Sequence, residues 1–349
     1  MPLASSPTAR RALTVGLAAA GAGTFWAFGL KLPFLFGPML ACLIAALAGL
    51  PLKGLGTIQV AARTILGVAV GASITPAVVA KLPDMAASVA LLPIYLVLIA
   101  SVGVPYFRRV CGFDTVTAWY CAMPGGLQDM VIFGTEAGGD PRALSLVHAT
   151  RVLIIVTVAP FLITHLFGAS LSNPIGVPAA DLPVGEMLLM VVAALAGWKI
   201  GERIGLFGAS ILGPMIFTGA LSLSGFIHSR PPAEAILAAQ FFIGIGIGVG
   251  YVGVTLYELR RDVLAGVFFV VILAALAAGF TEVVVHFGLA DNLEGFLAFA
   301  PGGQAEMTVL AIIAGADLGF VVVHHLTRVI LVITMAPIFA RVFKVRGNP

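Results

Sequence analysis

Residues 122–133 read AMPGGLQDMVIF, and residues 299–310 read FAPGGQAEMTVL. Each stretch places Pro-Gly-Gly, two variable residues, an acid and a methionine inside a long apolar run. Proline breaks a helix by removing an N–H, and paired glycines permit a tight turn. How such a break sits in the fold, twice and at one spacing, decides the architecture.

The surroundings point to a membrane. Of 349 residues, 60% are hydrophobic and only 10% charged, against roughly 25% charged in a soluble domain. The mean hydropathy is +1.09. This is the composition of a polytopic all-α membrane protein. The net charge of +3 fits a Lys/Arg excess in cytoplasmic loops and gives no reason to expect nucleic acid as a partner. Cys42, Cys111 and Cys121 show neither pairing nor metal spacing and read as small apolar fillers. The first residues, with Arg10 and Arg11 before an apolar run, have the outline of a signal peptide. A counterpart to this segment deep in the chain favours a retained first helix.

That counterpart comes from an internal repeat at an offset of 177 residues. Pro124-Gly125-Gly126 falls on Pro301-Gly302-Gly303, Asp129-Met130 on Glu306-Met307, Asp140 on Asp317, His148 on His325, and Thr150-Arg151-Val152 on Thr327-Arg328-Val329. Between 124–160 and 301–337, 14 of 37 positions are identical without a gap. Chance similarity of apolar helices supplies matched Ala, Val and Leu, but not Pro-Gly-Gly, Asp, His and Arg in register. Upstream, Gly37-Pro38-Met39 matches Gly213-Pro214-Met215 after one indel, and the glycine run 243–250 matches 66–73. These glycines fit either close packing or a sliding interface. The halves are a first membrane repeat over 1–170 and a second over 186–349, joined by a Pro/Gly-rich linker at 171–185.

The loop charges choose between two topologies. If each Pro-Gly-Gly segment dips in and returns, 13 basic residues lie inside (Arg10, Arg11, Lys53, Arg108, Arg109, Arg142, Lys199, Arg203, Arg260, Arg261, Arg341, Lys344, Arg346) and 3 outside (Lys31, Lys81, Arg230). If it crosses, the split falls to 9 against 7. The expectation is therefore an inverted repeat of five transmembrane helices plus one re-entrant hairpin in each half. That makes ten spans, with both termini cytoplasmic, in a bacterial-type inner membrane. Hairpins of opposite orientation would bring their tips together near the midplane, as in secondary transporters.

The candidate site follows from depth. Non-helical backbone inside a bilayer must be buried in protein or line a cavity. The helix after each tip presents free N–H groups and a positive dipole end. Pro124, Gly125, Gly126, Pro301, Gly302 and Gly303 are thus candidate substrate-binding positions, together with Arg151 and Arg328. Each arginine lies ten residues into its helix, which places it about 15 Å deep. Neither can easily snorkel from there, and Asp129 and Glu306 are the candidate partners. Asp129 and Glu306 are also candidates for proton or sodium coupling, or alternatively local helix caps. His148 and His325 share a helix face with the arginines, as proton relays or as packing residues that orient them. Asp114, Asp291, Asp140 and Asp317 read as N-caps. His324 has no counterpart and receives no role.

The doubled pattern PGGxx[DE]M…GxD…HxTRV with an upstream GPM resembles the AbrB-type integral membrane proteins with a duplicated domain, and the resemblance covers about 15–340. Members are catalogued as ammonia monooxygenases or as regulators of gene expression. The resemblance therefore implies a duplicated membrane architecture and those two labels. The residues support neither label directly. Six histidines without ligand spacing do not make a metal site, so no metal or cofactor is expected, and there is no basic soluble module for DNA. From topology, the expected function is alternating-access transport of a small anionic metabolite, with the lipid bilayer as the other partner and a homo-oligomer compatible with it. The competing readings are a membrane regulator or sensor acting on gene expression and, behind it, a membrane-bound monooxygenase.

Overall fold

The computed structural model describes residues 6–30, 32–206 and 208–342, with the backbone alone at Gln128, Asp129, Ala305, Pro337, Arg341 and Val342. Lys31, Lys344 and Arg346 of the charge count lie outside the described residues. Among the described residues there is no strand, and fourteen helices carry the fold. The first half contains α1 (Pro7–Ala27), α2 (Pro33–Leu47), α3 (Thr57–Ala72), α4 (Leu82–Val110), α5 (Thr115–Ala122), α6 (Leu127–Glu136) and α7 (Pro141–His165). The second contains α8 (Val184–Arg203), α9 (Ala209–Leu223), α10 (Ala233–Val249), α11 (Leu256–His286), α12 (Asn292–Phe299), α13 (Gln304–Ala314) and α14 (Leu318–Val342). Each helix thus has a counterpart seven places on.

Five helices (α4, α7, α8, α11 and α14) are long and apolar enough to cross a membrane. Four more, α2, α3, α9 and α10, are apolar but only 15 to 17 residues long. The apolar stretch 57–80 is not one continuous helix: α3 ends at Ala72, before a separate short turn of helix at Pro76–Ala80. Pro76 has no N–H to continue the ladder and biases Thr75 away from helix.

The chain packs as two compact units, each drawing on both halves. The first, residues 1–76 and 174–255, contains α1–α3 and α8–α10. Glycines set its helix contacts. A Cβ at Gly67 would strike the Ile211 carbonyl oxygen, and one at Gly71 would lie 2.5 Å from that of Met215. The counterparts repeat this: Gly244 meets the Leu35 carbonyl and Gly248 that of Met39. So α3 packs along α9 exactly as α10 packs along α2, each pair in parallel, and what one half gives the other returns. The Gly-Pro-Met motif is explained by the same contacts. Gly37 abuts Gly21 of α1 and Gly213 abuts Gly197 of α8, while each Met carbonyl receives a glycine of the other half. Between α3 and α10 chain order is opposed. Gly54, just before α3, sits against Val249 at the end of α10, whereas Gln59 donates to the Phe242 carbonyl at 3.3 Å. Of the glycine run, Gly244 and Gly248 are the two closely packed on another helix's backbone. Gly248→Ala would place a methyl 2.5 Å from the Met39 carbonyl oxygen and 2.7 Å from Cys42 Cβ. We expect a loss of about 1–3 kcal/mol, measured as a lower thermal unfolding midpoint in detergent.

The second unit, residues 77–173 and 256–349, contains α4–α7 and α11–α14. Its core is built on Tyr95, Ile99, Phe107, Trp119, Tyr120, Met130, Phe269 and Phe299. Both Pro-Gly-Gly segments belong to this unit, so two stretches far apart in sequence share one core.

Candidate functional site

Each Pro-Gly-Gly joins two short helices. At about 1.5 Å per residue, the 8-residue α5 and α12 and the 10- and 11-residue α6 and α13 each reach about 12 to 17 Å, far short of a ~30 Å hydrocarbon core. The chain returns to where it began. After α6, the Asp140 N–H donates to Thr117 Oγ1 at the start of α5, at 2.8 Å. After α13, the Asp317 N–H donates to Glu294 Oε1 at the start of α12, at 3.1 Å. Thr117 and Glu294 are counterparts at the repeat offset of 177. Different side chains thus close both hairpins at the same place. Asp114 accepts from Val116 N and Thr117 N, and Asp140 from Arg142 N and Ala143 N, as caps do. Asp317 Oδ1 accepts from Phe320 N, whereas Asp291 makes no side-chain cap bond.

At the tips the glycines supply room. All have φ below zero in extended conformation at Gly126 and Gly303, so conformational strain is not what selects glycine there. A Cβ at Gly125 would lie 2.9 Å from Met130 Sδ, and one at Gly302 would lie 2.5 Å from Met307 Sδ. Met130 and Met307 are fully buried. The methionine of the repeated motif therefore fills the turn that the second residue of Pro-Gly-Gly leaves open. Pro124 and Pro301 are buried, and Gly126 and Gly303 half-buried.

The arginines come to these tips from α7 and α14. Arg151 is 2% exposed and donates from Nη2 to the Gly125 carbonyl at 2.6 Å and from Nη1 to that of Met123 at 3.4 Å. Arg328 is 1% exposed and donates to the Gly302 and Ala300 carbonyls, both at 2.7 Å. One turn earlier, His148 Nε2 donates to the Tyr120 carbonyl at 3.1 Å and His325 Nε2 to that of Leu297 at 2.8 Å. A carbonyl can only accept, so both imidazoles carry the proton on Nε2. The two last helices thus cap the carbonyl ends of the broken α5 and α12, where backbone acceptors are left over and the dipole is negative. Both arginines thus hydrogen-bond main-chain carbonyls at the tips.

The two copies differ in detail. Arg328 Nη2 also donates to His325 Nδ1 at 3.0 Å, whereas His148 Nδ1 is buried without a hydrogen-bond partner. Tyr95 Oη donates to the Phe299 carbonyl at 2.8 Å, adding a cap to the second hairpin. Its counterpart in the second half is Ile272, so the repeat gave no signal for it. His324 is buried between the Phe320 carbonyl and Ser88 Oγ, a packing role absent from the sequence reading. Asp129 lies in α6, its side chain outside the described residues. Glu306 is half-buried and interacts electrostatically with Arg151, across the repeat. A cavity of about 410 Å³ runs beside the second tip, from Ala300 and Pro301 along Ile155, Ala159 and Ala277 to Glu282 and Asn292. Among the described residues no three His, Cys, Asp or Glu side chains gather as a metal site requires.

The family model described as "Transition state regulatory protein AbrB" matches residues 34–344. The chain is similar to "Uncharacterized protein YhjN" of Bacillus subtilis (strain 168), 27% identical over 94% of this chain and 91% of that one. It is also similar to "Putative regulator AbrB" of Escherichia coli (strain K12), 26% identical over 91% of each. Neither the family description nor these names gives an enzyme.

Proposed function

The chain belongs to the AbrB family, and we propose that it is a secondary transporter that moves a small anionic metabolite across the inner membrane by alternating access, coupled to protons or sodium. The observation that carries this reading is the pair of closed hairpins whose tips are each held by a buried arginine in one compact unit. Secondary transporters place their sites where broken helices of two repeats meet, with half-helix N-termini facing anionic groups. Pro124–Gly126 and Pro301–Gly303 form the tips, Arg151 and Arg328 supply positive charge, and Asp129, Glu306, His148 and His325 are the coupling candidates.

The inverted arrangement has its own support. Counterpart helices α3 and α10 run against each other, which repeats of one orientation would not give. Closure of both hairpins at Thr117 and Glu294 supports segments that enter and return, and hence ten spans with both termini cytoplasmic. On this reading 1–170 and 186–349 are the repeats and 171–185 their linker. A regulatory role, carried by the family description and one relative's name, would have to run through a partner protein.

Topology is checked with single cysteines at Arg142 and Asp317, on a background without Cys42, Cys111 and Cys121. A membrane-impermeant maleimide is expected to label the two positions from opposite sides. Labelling from the same side would remove the inverted repeat. Function is checked by counterflow of small organic anions in proteoliposomes, and no flux across a broad panel would overturn the transporter reading.

A further inference from the structure

The start of α13 holds an anion of the protein's own. Glu306 is the third residue of that helix, the place of a capping-box acid. Its carboxylate lies over Gly303: a Cβ on that glycine would collide with Glu306 Oε2. The glycine therefore leaves a space that a carboxylate fills, at a positive helix end. Arg151 acts on this acid through charge, and buried donors without hydrogen-bond partners stand on that arginine and on the residues next to the helix end. Arg328 is fixed at the Gly302 carbonyl, just ahead of the helix, and its buried Nε has no hydrogen-bond partner. The Nε of Arg151 is likewise buried and unpartnered, as is Gln304 Nε2 on the first residue of α13. A helix N-terminus, two nine-tenths-buried guanidinium groups with unused N–H donors, and a resident carboxylate make a built anion site.

We infer that Glu306 is a resident competitor: its side chain occupies the position of a small organic carboxylate, and the substrate enters when Glu306 takes up a proton and leaves the helix end. The inference rests on the transporter reading and names its substrate class and coupling group. One proton and one carboxylate then bind together, so the charge at the site is the same before and after. The charged and titratable groups that bear on Glu306 are consistent with this exchange. Arg151 and His148 stand on α7, and Arg328 and His325 on α14. On α12 the acid Glu294 is at the far end, engaged with Asp317 N. The Asp129 side chain lies outside the described residues.

The test uses propionate, the free equivalent of the Glu306 side chain, with the purified full chain. Binding is read from thermal unfolding midpoints in detergent at pH 6 and pH 8, against equal concentrations of sodium chloride. Wild-type protein is expected to bind propionate more tightly at pH 6 than at pH 8. Glu306→Gln is expected to bind about tenfold more tightly than wild type at pH 8 and to lose the pH dependence, because an intramolecular competitor acts as a high local concentration. Gly303→Ala, which evicts the carboxylate while keeping its charge, is expected to shift in the same direction, and it guards against a folding defect in the first variant. Equal pH dependence in wild type and Glu306→Gln, or no propionate response in either variant at either pH, would overturn the inference. Flux enters none of these measurements. A protein that binds as described but moves no anion would sink the transporter reading alone.

Discussion

Arg328→Ala is expected to cost about 3–5 kcal/mol and to lower the thermal midpoint by about 10 °C. The side chain supplies hydrogen bonds to the Ala300 and Gly302 carbonyls and to His325 Nδ1. All three acceptors are buried, and each unpaired buried acceptor costs about 1–3 kcal/mol, less than additively where water enters the gap. The acceptors on the chain exist because Pro301 ends α12 and leaves its carbonyls without helical partners. Lysine is a poor substitute, because one ammonium cannot span two carbonyls and an imidazole in the planar fork of a guanidinium. Arg328→Lys should therefore recover less than half of the loss. Full recovery by lysine would mean that charge alone, and not the fork, holds the tip.

The same contacts explain what was legible in the sequence. In an apolar chain a repeated Pro-Gly-Gly, His or Arg stands out, because nothing in hydropathy requires it. The repeat therefore located both tips and both arginines. What the arginines bind was not legible. Carboxylates are visible as letters, whereas the orphan carbonyls of Met123, Gly125, Ala300 and Gly302 are backbone groups that any residue carries. Carbonyl capping thus joins the expected pairing, in which Glu306 acts on Arg151 through charge and the Asp129 side chain lies outside the described residues. Tyr95 escaped for a related reason: it acts in one half only, and Ile272 in the other leaves no repeat to notice. Met130 and Met307 were visible as repeated but had no role until the glycines beside them were seen to leave their space. The interleaving of the halves into two units was also out of reach. It depends on α3 meeting α9 and α10 meeting α2, which no local pattern encodes.

Arg151 is expected to behave differently from its counterpart. Its two bonds to the tip are less even, at 2.6 Å and 3.4 Å against 2.7 Å for both of Arg328's, and it makes no bond to His148 Nδ1. The loss of stability in Arg151→Gln should therefore be smaller than that of Arg328→Ala. Its effect on anion binding should be larger, because Arg151 is the cation that interacts with Glu306 and that is itself opposed by Arg328. In wild type, Glu306 offsets the repulsion between the two guanidinium groups. Removing the acid alone restores that repulsion, and removing Arg151 alone leaves the acid short of a cation. Removing both leaves a neutral pair beside Arg328. The double-mutant cycle of Arg151→Gln and Glu306→Gln should consequently give a favourable coupling of about 0.5–3 kcal/mol in unfolding free energy. In the Glu306→Gln background, Arg151→Gln should also abolish the gain in propionate binding, whereas Arg63→Ala, in the other unit, should leave that gain intact. Additivity within about 0.5 kcal/mol would mean that the charges of Arg151 and Glu306 do not meet, and the anion site would then have to be built on Arg328 alone.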